Sequence, residues 1–430
     1  MSISSSLFSG VSGLSSYGNA MSVIGDNIAN VNTIGFKGSG TSFEDAFSQS
    51  IATASGTSQI GRGVTMSSVV ASFDQGSFEN TNEPTDLAIG GKGFFMVGDL
   101  ETENVYYTRA GRFRFDVSGN FVNPAGLVVQ GWDVQENSNG TISTVGAIDN
   151  IVISSTSSDP NATTQVIEAV NLSSTETAYA AGSFNCTAAG VVTNYNYSTS
   201  LSVYDSLGND HPVTIYFTNT SGGIWEWNAV IDDTNSFSGS YEVMTGGTLT
   251  FDSNGSLILE AQNPSDFDFS GGALQDQDIS FFFGTQTGAI SRSTQYSTSS
   301  TTIYQSQDGY GSGFLENLSV DTDGVIAGHY SNGQILYLNK IALANFQNPW
   351  GLTKQGGNLR SESRESGQAI TGPPGTAGMG KISANSLEQS NVDLGTEFVK
   401  MIINQRAFQA NSRIITTTDD MLQELINLKR

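Results

Sequence analysis

Few residues in this chain have the type and spacing of a chemical site. Gly375-Thr376-Ala377-Gly378-Met379-Gly380-Lys381 reproduces the G-x-x-x-x-G-K spacing with which backbone N–H groups cradle phosphates. Ile382, however, stands where a hydroxyl must hold magnesium, and Gly372-Pro373-Pro374 precedes the loop where a strand is required, so a flexible linker is the better reading. Asp321-Thr322-Asp323-Gly324 begins like a calcium loop, yet Val325 and Ala327 occupy later ligand positions. Its glycine also falls two positions early, and the same residues suit a hairpin turn. His211 and His329 lack the spacing of a metal pair, and Cys186, between Asn185 and Thr187, has no second cysteine. No nucleophile elbow and no G-x-G-x-x-G is present. The 41 acidic residues make chance carboxylate pairs certain, so none marks a glycosidase. Trp225 and Trp227, two apart, share one strand face and suit a core. The chain therefore offers no catalytic residue, no metal ligand and no cofactor site.

The whole composition agrees. A chain of 430 residues implies more than one domain. Charged residues make up only 13%, with 49 glycines and 10% aromatics, which favours many short strands and polar turns over a helical core. Seventeen basic against 41 acidic residues give a net charge of −24, which repels nucleic acid and anionic membranes. No stretch approaches the ~18 apolar residues of a membrane span. The segment Met1-Ser2-Ile3-Ser4-Ser5-Ser6-Leu7-Phe8 has neither the basic nor the apolar region of a cleavable signal peptide.

Helical periodicity is confined to the two ends. Leu7, Val11, Leu14, Gly18, Met21, Gly25 and Ile28 step by four and three, the seam of a coiled-coil-like helix over 1–31. Gly10, Gly13, Gly18 and Gly25 each weaken it by up to ~1 kcal/mol, so it is expected to fray in a free chain. At the other end Leu394, Phe398, Met401, Gln405, Phe408, Ser412, Ile415, Asp419, Leu422 and Ile426 predict a helix within 391–430. Ser390 with Asp393 suggests a capping box, and Lys429 and Arg430 suit the negative end of the helix dipole. The two helices should pair. Leu7, Val11, Leu14, Met21, Ile28, Leu394, Phe398, Met401, Gln405, Phe408, Ile415 and Leu422 are the candidate core through which copies of the chain polymerise.

Between the ends the period becomes two. Phe115–Phe121, Phe251–Leu257 and Val320–Ile326 share an apolar-Asp-x-x-Gly-x-apolar pattern, a turn signal that makes each a candidate hairpin, and Tyr204–Gly208 resembles them. Further strands read at 148–153, 200–204, 213–218, 225–231 and 335–346. Ser/Thr/Asn-rich stretches at 154–200 and 285–313 bracket a strand-rich block. The expected fold is mainly β, with two β-rich domains, one inserted in the other, flanked by the terminal helices. Its segments are a connection at 32–70, one β domain at 71–150 with 314–370, an inserted β domain at 151–313, and a Gly/Pro/Ser linker at 371–390.

One run is specific enough to suggest a family. Ala29-Asn30-Val31-Asn32-Thr33-Ile34-Gly35-Phe36-Lys37 resembles the A-N-x-N-T-x-G-F/Y-K signature of bacterial flagellar rod and hook proteins, whose motif residues here are Ala29, Asn30, Asn32, Thr33, Gly35, Phe36 and Lys37. Gly61–Val64, Asp86–Phe95, Tyr107–Gly111, Leu387–Leu394 and Gln405–Asn411 are similar to other stretches of the same family, and the insertion favours its hook branch over its rod branch. The resemblance implies a non-enzymatic subunit whose helices form the inner core of a polymer, with the β domains as middle and outer layers. It would self-assemble into a flexible tube that couples motor rotation to the filament and encloses the export channel. The implied partners are further copies of the chain, the distal rod, the hook cap, hook-length control and hook–filament junction proteins, and the flagellar type III export apparatus. The implied location is the extracellular hook, reached without a cleavable signal. The alternatives are a rod-type axial protein and a secreted β-rich enzyme or glycan-binding module.

Overall fold

The two apolar stripes form helices α1, Ile3–Ala29, and α2, Leu394–Leu428, in a computed structural model that describes residues 3–46, 48–53, 56–137, 140–153, 157–284 and 292–428. Lys429 and Arg430 lie outside the described residues. The start of α2 differs from the expected capping box. Asp393 is itself the cap, accepting from Thr396 N at 2.7 Å, and this bond holds its carboxyl below the usual range. Although its glycines weaken α1 as an isolated helix, it runs unbroken from Ile3 to Ala29, because α2 packs along it. No helix among the described residues is long and apolar enough to cross a membrane.

The Asp-x-x-Gly segments are hairpin turns. Asp116 Oδ1 accepts from Ser118 N and Asn120 N at 2.8 Å each. Asp205 Oδ1 accepts from Leu207 N and Asn209 N at 2.8 and 2.9 Å. Asp252 and Asp321 repeat the arrangement. One carboxylate thus closes each turn, and Asp321 acts as a turn residue.

The mainly β body divides into two units, each with its own core. The first comprises Met1–Ser154, Asn317–His329 and Ile335–Arg430. In it the strands Ile335–Ile341, Val128–Glu136, Phe94–Gly98, Val105–Thr108, Leu359–Ser361 and Thr353–Gly356 neighbour one another in that order, all antiparallel. Phe94–Gly98 is buried on both faces: Phe95 and Val97 enter one cluster with Phe113, Phe121 and Ile341, and Phe94 and Met96 enter another with Tyr107 and Phe346.

Two segments expected as connections are strands instead. Within 32–70, Ser39–Asp45 pairs with Val64–Ala71, and Gln49–Thr53 pairs with Gly56–Ile60. Within 371–390, Lys381–Ala384 pairs with Leu87–Gly90, and Ser386–Glu388 pairs with Phe78–Asn80. Small polar residues hid the period of two, and partners distant in sequence supply the ladders.

The second unit comprises Ser155–Glu316 and Tyr330–Gln334, where the sequence places an insertion at 151–313. Tyr197–Tyr204, Asp210–Ser221, Ile224–Ile231, Glu242–Phe251 and Leu257–Gln262 form an antiparallel meander. Gln165–Asn171, inside the stretch read only as Ser/Thr-rich, lies between Ser280–Phe282 and Thr301–Gln307. Val166, Phe217, Trp225, Trp227, Phe281 and Phe283 belong to one buried cluster.

Candidate functional site

α1 and α2 run antiparallel. Near one end Asn27 Nδ2 donates to Glu397 Oε2 at 3.1 Å. Near the other, a Cβ on Gly10 would sit 2.9 Å from Ile415 Cγ1, and one on Gly13 2.7 Å from the Asn411 side chain. Those two glycines are where the helices close. At Gly18 and Gly25 a Cβ would meet nothing within 4 Å.

The residues nominated from the stripes divide between two faces. Met401, Ile415 and Leu422 are half-buried and share a face with Glu397, Asn404, Asn411 and Thr418, the α1 side of α2. Leu7, Leu14, Met21 and Ile28 are half-buried on α1. Leu394, Phe398, Gln405 and Phe408 are exposed, as is Val11. Val399, Ile402, Ile403, Ile414 and Met421, outside the nominated stripe, are exposed as well. Phe398 is 50% exposed and Ile403 60%, an apolar surface too extensive for a helix facing only water.

The signature run ends α1 and anchors it to the β body. Asn30 Nδ2 donates to Asp26 O at 2.9 Å, and Thr33 Oγ1 donates to Asn30 Oδ1 at 3.0 Å, while Ala29 and Asn32 are exposed. Gly35 adopts φ +65° with Arg109 C only 2.6 Å from where a Cβ would be, so no other residue fits. Its N–H donates to Glu388 O at 2.7 Å.

Next along the chain, Lys37 Nζ lies 2.7 Å from Glu388 Oε1, and Arg109 Nη1 lies 3.3 Å from Glu388 Oε2. All three residues are buried. Burial pushes the Lys37 ammonium and the Arg109 guanidinium down, and the Glu388 carboxylate opposes the shift. Asn391 completes the junction: its Oδ1 accepts from Gly38 N at 2.9 Å and its Nδ2 donates to Ser72 O at 3.0 Å. Arg109, Glu388 and Asn391 stand inside the family-like stretches, but nothing in one sequence marks them as neighbours. Asn27 carried no signal.

The remaining chemical candidates have structural surroundings. His211 is buried between Asp205 Oδ2 at 3.0 Å and Asn235 Oδ1 at 2.9 Å, stacked on Phe269. His329 contacts Ser319 Oγ. Burial pushes the Cys186 thiol up, the opposite of an activated nucleophile. Gly375 N donates to Gly380 O across a turn, and Lys381 opens a strand rather than a helix, so no phosphate cradle forms. The carboxylates of Asp266, Asp268 and Asp276 lie within 4.8 Å of one another, the first and last exposed and Asp268 half-buried, the one such group among the described residues.

Comparison with known proteins follows this geometry. Residues 7–37 match the family described as flagella basal body rod protein. Residues 88–169 match the flagellar hook protein FlgE/F/G D1 domain, and 171–310 the flagellar basal body protein FlaE D2 domain. Residues 383–428 match the flagellar basal body rod FlgEFG protein C-terminal family. The chain is 37% identical to the flagellar hook protein FlgE of Borreliella burgdorferi, covering 99% of each chain. It is 34% identical to that of Treponema pallidum, again over 99% of each, and 33% identical to that of Escherichia coli, over 97% and 98%. The crystal structure of Helicobacter pylori flagellar hook protein FlgE2 aligns with TM-score 0.50 at 18% identity, over 72% of this chain and 100% of that one, a likeness of fold.

Proposed function

This chain belongs to the flagellar hook protein family, and from that membership we infer that it is a structural subunit of the bacterial flagellar hook that polymerises through the outward face of α2. The family is a structural one rather than a family of enzymes. The observation that carries the mode of assembly is the division of α2: one face closed on α1, the rest presenting Phe398, Val399, Ile402, Ile403 and Phe408 to solvent.

Burying that surface against neighbouring copies supplies the driving force, at about 25 cal/mol per Å² of apolar area. A repeated contact that does not close on itself builds a helical tube. The paired helices make its inner core and the two β units its outer layers, so the tube encloses a channel and carries rotation from motor to filament. The buried junction at Lys37, Arg109 and Glu388 transmits that load between helices and β body. Subunits arrive through the flagellar type III export apparatus, and the finished tube meets the distal rod, the hook cap, hook-length control and hook–filament junction proteins.

Deleting 392–430 tests this reading. The truncated chain should keep cooperative unfolding of its β units and form no polymer. Filaments of normal yield from that truncation would refute it. Electron microscopy of the intact polymer should show a curved, bendable tube, whereas a rigid straight one would indicate a rod-type role.

A further inference from the structure

A cleft of about 220 Å³ lies in the first unit between the signature run and the hairpin formed by Thr353–Gly356 and Leu359–Ser361. Asn30, Phe36, Lys354, Asn358 and Arg360 are among its lining residues. Lys354 and Arg360 are directly opposed across the hairpin, so both side chains stand on one face.

Arg360 is only 9% exposed. Its guanidinium stacks over Phe73 at 4.8 Å, but among the described residues no carboxylate or carbonyl accepts from it. Burial alone pushes it down, with no opposing carboxylate. Among the described residues Lys354 Nζ has only a long contact to Ser39 Oγ, 3.3 Å, and the Phe36 ring at 6.0 Å. Asp26, the one acid among the lining residues, accepts from Asn30 Nδ2 at 3.0 Å and pairs with neither cation. Of the three cations that line the cleft, Lys37 is paired with Glu388, whereas Lys354 and Arg360 have no carboxylate partner among the described residues, in a chain where acidic residues outnumber basic ones 41 to 17. The Arg360 guanidinium nitrogens are not among the buried unpartnered atoms and so keep contact with solvent, and a guanidinium fork is well matched to a carboxylate or phosphate.

We propose that this cleft is a socket for a carboxylate of a second copy of the chain, held by Arg360 and Lys354. The inference rests on the polymerisation reading above. Size and charge select the occupant. The volume is below the roughly 300–1,000 Å³ of small-molecule sites and suits one acidic side chain. A neighbouring subunit with net charge −24 presents such side chains in excess, and complementary charge fixes register between subunits. The socket adjoins the signature run, so occupancy would lock each subunit at the point where its helices meet its β body.

The test is the critical concentration for polymerisation of the full chain, measured by sedimentation. Lys354→Gln removes an exposed charge and should leave both units folded. We expect it to raise the critical concentration about tenfold, the effect of losing one well-placed charge pair. Lys354→Arg should restore assembly, and Arg360→Gln should act at least as strongly. Sodium sulfate should inhibit assembly of the unaltered chain more than sodium chloride at equal ionic strength, and should lose that advantage in Lys354→Gln. Normal assembly by a folded Lys354→Gln chain overturns the proposal, even should Arg360→Gln fail to fold. Sulfate binding by the monomer with no effect of either substitution on assembly overturns it too, leaving a site for free anions. Failure of the unaltered chain to polymerise overturns the subunit reading and this inference together, whereas normal polymerisation by the variants overturns this inference alone.

Discussion

Lys37 Nζ and Glu388 Oε1 meet at 2.7 Å although 351 positions separate them in the chain. Glu388 also holds Arg109 and accepts from Gly76 N at 3.0 Å, so one carboxylate ties together four distant segments. Glu388→Gln would leave two buried cations facing a neutral amide. Breaking a buried pair from one side costs about 3–5 kcal/mol, and urea unfolding of the first unit should show a loss of that order. A loss below about 1 kcal/mol would mean that the junction is solvated and not a structural clamp.

The glycines of α1 should separate into two kinds. At Gly18 a Cβ has open space, so Gly18→Ala should stabilise the helix by about 0.5–1 kcal/mol. Gly13→Leu places a side chain where Asn411 already sits and should part the helices. Amide exchange in α1 reads both: slower for Gly18→Ala, faster for Gly13→Leu. Similar behaviour of the two variants would contradict the helix pairing.

Much of this architecture was legible because it is local. A period of 3.5 to 3.6 exposes both helices, and Asp116, Asp205, Asp252 and Asp321 announce their turns because each carboxylate bonds to backbone N–H groups two and four residues on. The strand Ser386–Glu388 could not be read, since its partner Phe78–Asn80 lies some three hundred residues away. The division of α2 between α1 and solvent was hidden for a related reason. Its apolar residues nearly encircle the helix, so the stripe through Leu394, Phe398 and Gln405 ran beside the closed face, which starts at Glu397 and Met401. Lys354 and Arg360 gave no signal, because a cation lacking its anion is visible only once the fold is known.

The exposed face of α2 and the core of the second unit should have separable effects. Phe398 is 50% exposed while Trp225 is fully buried. Phe398→Ser should change the stability of either unit by no more than about 0.5 kcal/mol, yet raise the critical concentration for polymerisation at least tenfold. Trp225→Ala should destabilise the second unit by about 3–5 kcal/mol with the helical contact intact. Phe408→Ala should resemble Phe398→Ser. Equal impairment of assembly by Phe408→Ala and Trp225→Ala would contradict this division of labour.

Glu168 sets a pH dependence for the second unit. Both its carboxyl oxygens are buried without a hydrogen-bond partner among the described residues, and desolvation pushes its pKa from 4.5 up to about 8. The folded unit therefore retains a proton that the unfolded chain releases above pH 4.5. Stability from this group is fully present below about pH 4.5 and falls as pH rises towards 8. The integrated loss is on the order of 4–5 kcal/mol. Trp225 and Trp227, both buried in this unit, report its unfolding by fluorescence. In urea the unfolding midpoint should fall steadily from pH 5 to pH 8, and Glu168→Gln should flatten that slope and stabilise the unit above pH 8. A slope that persists unchanged in Glu168→Gln would assign the pH dependence to other groups.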